Sequence, residues 1–192
     1  METKKLISNK GNILKGPLLI KPKIFHDKRG YFFESWNQSV FDNQLGEKII
    51  FSQDNISFSE AAVLRGLHYQ IPPITQGKLV RCTAGEIFDV AVDIRESSET
   101  FGEWVSVKLN NNNKLMLWIP VGFAHGFLSL KDNSEVSYKA NGYYSKEHER
   151  SIRWNDKSLN IKWPLQIMNK KEPNLSEKDA NAPLLNEANI FY

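Results

Sequence analysis

The chain predicts a mainly β fold of the jelly-roll barrel type, and three observations carry that expectation. Its 11 Phe, 6 Tyr and 5 Trp, with many Val and Ile, suit a pleated, half-buried surface. Short runs of period-2 alternation recur, separated by turn-forming clusters of Gly, Pro, Asn and Asp. The long alanine- and leucine-rich periods of a helical protein are missing. A chain of 192 residues that is 41% hydrophobic can bury one substantial core, so residues 1–192 are expected as a single domain.

Taken in order, residues 1–24 are expected as an N-terminal arm. The apolar run Ile13 to Ile24 is broken by Pro17 and Pro22, which suits an edge strand or an arm better than a central strand. Asp27 to Gly30 has turn chemistry, and the aromatic run Tyr31 to Trp36 follows as a strand. Phe41 to Gly46 is expected as a short helical turn, and Ile49 to Ser59 as a further extended segment. Val63 to Cys82 holds a strand pair with an unusual concentration of polar chemistry. Gly85 to Ile94 alternates with period 2, and Trp104 to Leu109 sets Trp, Ser and Lys against Val, Val and Leu, as a half-buried strand does. Asn110 to Asn113 is a four-asparagine turn. Strands are expected over Lys114 to Ile119, His125 to Leu130 and Glu135 to Tyr144. From Asn155 the composition turns polar, with Pro164, Pro173 and Pro183, so residues 155–192 are expected as a wrapping segment with short helices.

Composition narrows the function classes. A net charge of +3 with dispersed Lys and Arg permits an anionic ligand but offers no basic stripe for nucleic acid. The opening twenty residues lack the uninterrupted apolar core of a signal peptide, and no run is long enough to span a bilayer as a helix. The single cysteine, Cys82, is expected as a buried reduced thiol, and the cytoplasm as the compartment. No G-x-S-x-G elbow, Walker loop or dinucleotide glycine fingerprint is present, which leaves acid and base chemistry in a barrel.

Parity singles out the candidates for that chemistry. In G-K-L-V-R-C, Lys78 shares a strand face with Val80 and Cys82. Either its ammonium points into the barrel, where it needs an anion or a developing oxyanion, or it sits at the mouth and reaches water. A lone strand histidine is more often structural than catalytic, but His68 shares its segment with Lys78 and imidazole chemistry suits a general base near neutral pH. Arg65 lies an odd number of positions before it, on the opposite face of an ideal strand, unless Gly66 bulges and re-aims one of them. Tyr138 shares a face with Val136 and Ala140 and is either a packing residue or an inward phenol. Ser176 and Asp179 have capping-box spacing, which favours a helix cap for Asp179. Pro120 to His125 has the P-x-G-x-x-H spacing of the second cupin motif, but L-H-Y-Q lacks the second histidine of the first, so a cupin-type barrel without a metal is expected.

The motifs R-G-L-H-Y-Q, Q-G-K-L-V-R-C, G-E-I-F-D-V-A-V-D-I-R and W-I-P-V-G-F-A-H-G-F occur in order. With D-K-R-G-Y-F-F-E-S from Asp27 and the ending near Leu185, they make the chain resemble the dTDP-4-dehydrorhamnose 3,5-epimerase family. That resemblance implies a cofactor-free, cupin-like homodimer inverting C3 and C5 of a dTDP-linked 4-keto-6-deoxyhexose. It implies His68 as the base, Asp179 as its orienting partner, Tyr138 as the acid on the opposite face, and Lys78 as the cation for the C4 enolate oxygen. Implied binding residues are Arg29, Glu34, Gln53, Asn55, Arg65, His125, Glu149 and Lys178, with Asp89 as a polar support. Departures, I-P-P-I-T before Gln76 and the asparagine turn, fall in loops. The alternatives are an epimerase acting at one carbon or on another nucleotide, and a non-catalytic sugar-nucleotide-binding cupin.

Overall fold

The computed structural model describes residues 1–191. Two antiparallel sheets face one another. The larger joins β1 (Glu2–Ile7), β2 (Ile13–Lys21), β5 (Gln53–Ser59), β7 (Lys78–Ala84), β10 (Met116–Ile119) and β12 (Ser134–Ala140) in the order β1-β2-β10-β7-β12-β5. The smaller joins β6 (Leu64–Gln70), β8 (Glu86–Asp93), β9 (Trp104–Asn110), β11 (Phe123–Ser129) and β13 (Glu149–Ser151) in the order β13-β6-β11-β8-β9. A small hairpin, β3 (Phe25–Asp27) with β4 (Gly30–Phe32), stands apart. The expected jelly-roll barrel of the cupin type with short helices is the fold observed.

Strand alternation sorts the apolar residues into three layers. Val80, Cys82, Ile87, Ala91, Leu117, Phe123, Phe127 and Val136 meet between the sheets. Leu79, Met116, Trp118 and Ile20 face outward from the larger sheet and pack with Phe41 of α1 (Gln38–Leu45), which Asn37 caps and Gly46 ends in the left-handed conformation. Leu67, Val90, Val92 and Leu128 face outward from the smaller sheet and are covered by Ile152 and by Leu159, Trp163, Leu165 and Leu185 from the C-terminal segment. That segment holds one 3-10 turn, Leu165–Met168, and one helical turn, α2 (Glu177–Ala180).

Two local expectations differ from the structure. Residues 13–21 lie inside the larger sheet between β1 and β10, not at its edge. Pairing jumps there from Lys5 opposite Leu18 to Leu6 opposite Leu14, so Pro17 falls in an irregularity where its missing N–H breaks no ladder bond. The aromatic run beginning at Tyr31 is strand only to Phe32, because it has a single short partner and leaves Tyr31 and Phe32 largely exposed.

Candidate active site

At one end of the barrel, inward residues of both sheets line a cavity of about 460 Å³. Lys78, Tyr138 and Ser57 come from the larger sheet, and Arg65, His68, His125 and Phe127 from the smaller. Residues 174–179 of the C-terminal segment, Lys178 and Asp179 among them, close the wall. A larger groove of about 700 Å³ beside Lys15, Arg95 and Thr100 offers less chemistry, since its cations are already paired, Arg95 with Asp93 and Lys15 with Glu99.

Local backbone geometry brings Arg65 and His68 to the same side. Four residues of β6, Arg65 to His68, oppose only three of β11, Phe127 to His125, so β6 carries one extra residue. Gly66 makes this possible: its φ is +127°, and a Cβ there would meet Gly126 Cα at 2.5 Å. Leu64 and Leu67 therefore both face outward while Arg65 and His68 both face the cavity. On β7 the pairing is regular from Lys78 to Cys82, the shift against β12 falling beyond them at Thr83, and Lys78 points inward with Val80 and Cys82 as parity requires.

His68 Nε2 lies 2.6 Å from Asp179 Oδ1. Burial alone would raise the Asp179 carboxyl. The hydrogen bond and charge of His68, with bonds from Ser176 and the Gly66 N–H, outweigh burial and hold it below the usual carboxylate range. Asp179 also acts as the expected cap partner, its N–H donating to Ser176 Oγ at 3.1 Å. A second pair, His125 Nε2 to Asp89 Oδ1 at 2.6 Å, lies deeper, with Asp89 fully buried and its Oδ2 without a hydrogen-bond partner.

Lys78 brings an ammonium to the cavity, which Arg65 and Lys178 also line. Burial lowers its ammonium to about 8, partly opposed by the charges of Glu149 and Asp89. Its Nζ stands 6.0 Å from the centre of the Tyr138 ring. Burial, then the charge of Glu149, raises the Tyr138 phenol above its ordinary value, so it keeps its proton at neutral pH. Glu149 accepts from Lys178 Nζ at 2.6 Å and from Tyr144 Oη at 3.0 Å, on the rim.

The remaining expected residues divide. Gln53 and Asn55 are bonded to each other at 2.9 Å on β5, with Asn55 directly opposite Tyr138 and its Nδ2 buried without a partner. Arg29 and Glu34 lie away from the cavity, Arg29 exposed and paired with Asp27 at 2.6 Å, Glu34 accepting from Asn37. Cavity-lining residues not singled out beforehand include Ser57, Asn174 and Leu175. Ser57 carried a readable signal, since it shares a β5 face with Gln53 and Asn55, and its hydroxyl is buried without a partner. Cys82 is a buried thiol, which burial pushes up to about 11.

A family model described as dTDP-4-dehydrorhamnose 3,5-epimerase matches residues 12–187. The chain belongs to this family. The dTDP-4-dehydrorhamnose 3,5-epimerase of Shigella flexneri is 56% identical over 174 residues, 91% of this chain and 93% of that one. The solved epimerase of Legionella pneumophila in complex with dTDP-4-keto-L-rhamnose has a TM-score of 0.87 at 46% identity, covering 96% of this chain and 94% of that one. ChmJ, a 3'-monoepimerase from Streptomyces bikiniensis solved with dTDP-quinovose, has a TM-score of 0.82 at 34% identity, covering 89% and 84%. Family membership makes this protein a carbohydrate epimerase, and its barrel is that of the family's solved members.

Proposed function

We propose that this epimerase inverts C3 and C5 of dTDP-4-dehydro-6-deoxy-D-glucose, giving dTDP-4-dehydro-L-rhamnose. The observation that supports this most directly is the placement of a base and an acid on facing sheets of one cavity. His68 stands on β6 with Asp179 behind it, and Tyr138 on β12 with the Lys78 ammonium beside it. A C–H bond next to a ketone is weakly acidic, because breaking it moves an electron pair onto the carbonyl oxygen. His68 takes the proton, the C4 oxygen gains the charge, and Lys78 meets that charge where little water competes. Tyr138 then returns a proton to the opposite face of the same carbon, which inverts it. Exchange with solvent recharges both groups before the second carbon reacts. Asp179 fixes the tautomer and orientation of His68. No cofactor enters these steps.

Arg65, Lys178 and Glu149 on the cavity side, with Gln53, Asn55 and the His125–Asp89 pair, serve binding in this reading. A homodimer is part of it: Arg29 and Glu34 lie outside their own chain's cavity on a segment whose Phe25, Tyr31 and Phe32 are exposed, and a second copy gives them a site to reach. The cytoplasm is the compartment in which a nucleotide-sugar supply suits such an enzyme, and among the described residues no helix is long and apolar enough to cross a membrane.

Incubation with the 4-keto substrate in D2O tests the proposal. Deuterium is expected at both C3 and C5, and its absence from both positions overturns it in favour of a binding module. The likeness to a 3'-monoepimerase supports one alternative, exchange at a single carbon, which the same spectrum reports. Tyr138→Phe is expected to slow product formation more than the initial loss of the substrate proton.

A further inference from the structure

His68 and Asp179 are 111 residues apart in sequence and belong to elements that do not pair with one another, so something must hold their 2.6 Å contact. Asp179 rides on a strap, residues 174–185, that crosses the cavity wall. Its upstream end is tied to the start of β6: Asn174 N–H donates to Ala62 O at 2.7 Å, and Leu64 N–H to Asn174 O at 3.0 Å. The downstream end is tied elsewhere. Arg153 N–H donates to Pro183 O and Arg153 Nε to Ala182 O, both at 2.8 Å, and Leu185 N–H donates to Asp156 Oδ2 at 2.7 Å.

Residues 149–156 bond both to the strand that carries His68 and to the strap that carries Asp179. Their first part is β13, in which Ser151 stands directly opposite His68, and Ile152 exchanges two backbone bonds with Leu67. Their second part holds the strap through Arg153 and Asp156. Asp156 is 4% exposed, and every bond it makes is to backbone or to Ser158 close by: Oδ1 accepts from the Ser158 N–H at 2.7 Å, its hydroxyl at 2.6 Å and the Leu159 N–H at 3.3 Å, while Oδ2 takes Leu185. Both oxygens are acceptors of N–H groups, a demand that a neutral amide cannot meet in either orientation.

The geometry points to Asp156, assisted by Arg153, as a positioning residue that sets the His68–Asp179 separation by fastening the strap to the run that also pairs with the His68 strand. The inference rests on the reading of His68 and Asp179 as base and orienting partner. A buried carboxylate acting only as a local turn anchor would leave the reaction rate alone. One acting through the strap loosens a contact on which proton transfer depends.

The test compares Asp156→Asn, Asp179→Ala and the double variant in the D2O exchange assay. Asp156→Asn is expected to lower kcat about tenfold or more with KM nearly unchanged. In the Asp179→Ala background the same substitution is expected to change kcat less than twofold, because the contact it positions is already gone. The proton shared by His68 and Asp179, sought at low field by proton NMR, is expected to shift or broaden in Asp156→Asn. An unchanged kcat, or an equal loss in both backgrounds, overturns the positioning role. If Asp179→Ala itself leaves kcat intact, the orienting role of Asp179 fails instead, which separates the two. Should Asp156→Asn not fold, Arg153→Met removes one strap bond while keeping its stem; a several-fold, non-additive loss is expected there, and an unchanged kcat counts against the proposal.

Discussion

The molecule contains two histidine–carboxylate pairs with the same 2.6 Å contact and opposite surroundings. His125 and Asp89 stand on neighbouring strands of one sheet, β11 and β8, their side chains 8% and 0% exposed. His68 and Asp179 join a strand to the C-terminal strap, and His68 is 27% exposed on the cavity side. The ladder alone sets the first contact, whereas the second exists only once the tail has wrapped. A pair locked within a sheet can brace a cavity floor. A pair whose imidazole meets the cavity can exchange a proton with a ligand.

The largest expected effect separates the two pairs by rate. His68→Asn is expected to lower deuterium exchange at both carbons by about a thousandfold or more, while the circular dichroism spectrum stays that of the parent. His125→Asn is expected to act mainly on KM, and an equal loss of kcat from both would erase the distinction. Next comes the Lys78 ammonium, which lines the same cavity. With the Lys78 ammonium lowered to about 8 and the Tyr138 phenol raised, the alkaline fall in kcat/KM is expected as pH rises through about 8. Stability moves the other way: between about 8 and the ordinary 10.5 the unfolded chain holds the Lys78 proton that the folded chain has lost, so this group's contribution favours folding increasingly as pH rises. Lys78→Met is expected to abolish both trends, seen in rate profiles and denaturant titrations against the parent. The smallest effect separates the pairs by stability. Asp89→Asn is expected to cost about 2 kcal/mol of unfolding free energy, more than Asp179→Asn does, measured by urea titration. A reversed order would mean that the tail, not the sheet, braces the cavity.

The parts of the fold legible in the sequence are those governed by local alternation. Lys78 points where Val80 and Cys82 point because β7 pairs regularly from Lys78 to Cys82, its one shift coming beyond them at Thr83. Arg65 and His68 defeat the same rule, since the extra residue at Gly66 reverses the faces and period-2 counting has no means of placing a bulge. Asp179 shows a different gap. Spacing announced its role toward Ser176, a contact three residues away, but not its bond to His68, which forms only through the path of the tail. The same holds for Glu149 and Lys178, whose ion pair joins β13 to α2. Pro17 argued against an interior strand, and the irregular pairing beside it removes the objection. Motif resemblance supplied the long-range partners that periodicity could not, because a motif carries the outcome of folding as well as its local causes.

Gly66 and Gly126 face one another across β6 and β11, and the clash is mutual: a Cβ on Gly66 would meet Gly126 Cα at 2.5 Å, and one on Gly126 would meet Arg65 O at 2.9 Å. Neither position can change first to make room for the other. For anyone reshaping this enzyme toward new sugars by mutagenesis and selection, the two are a closed door, and randomised libraries will return glycine at both. Ser57, a small lining residue of the opposite wall whose hydroxyl has no partner, is the better place for variation that alters what the barrel accepts.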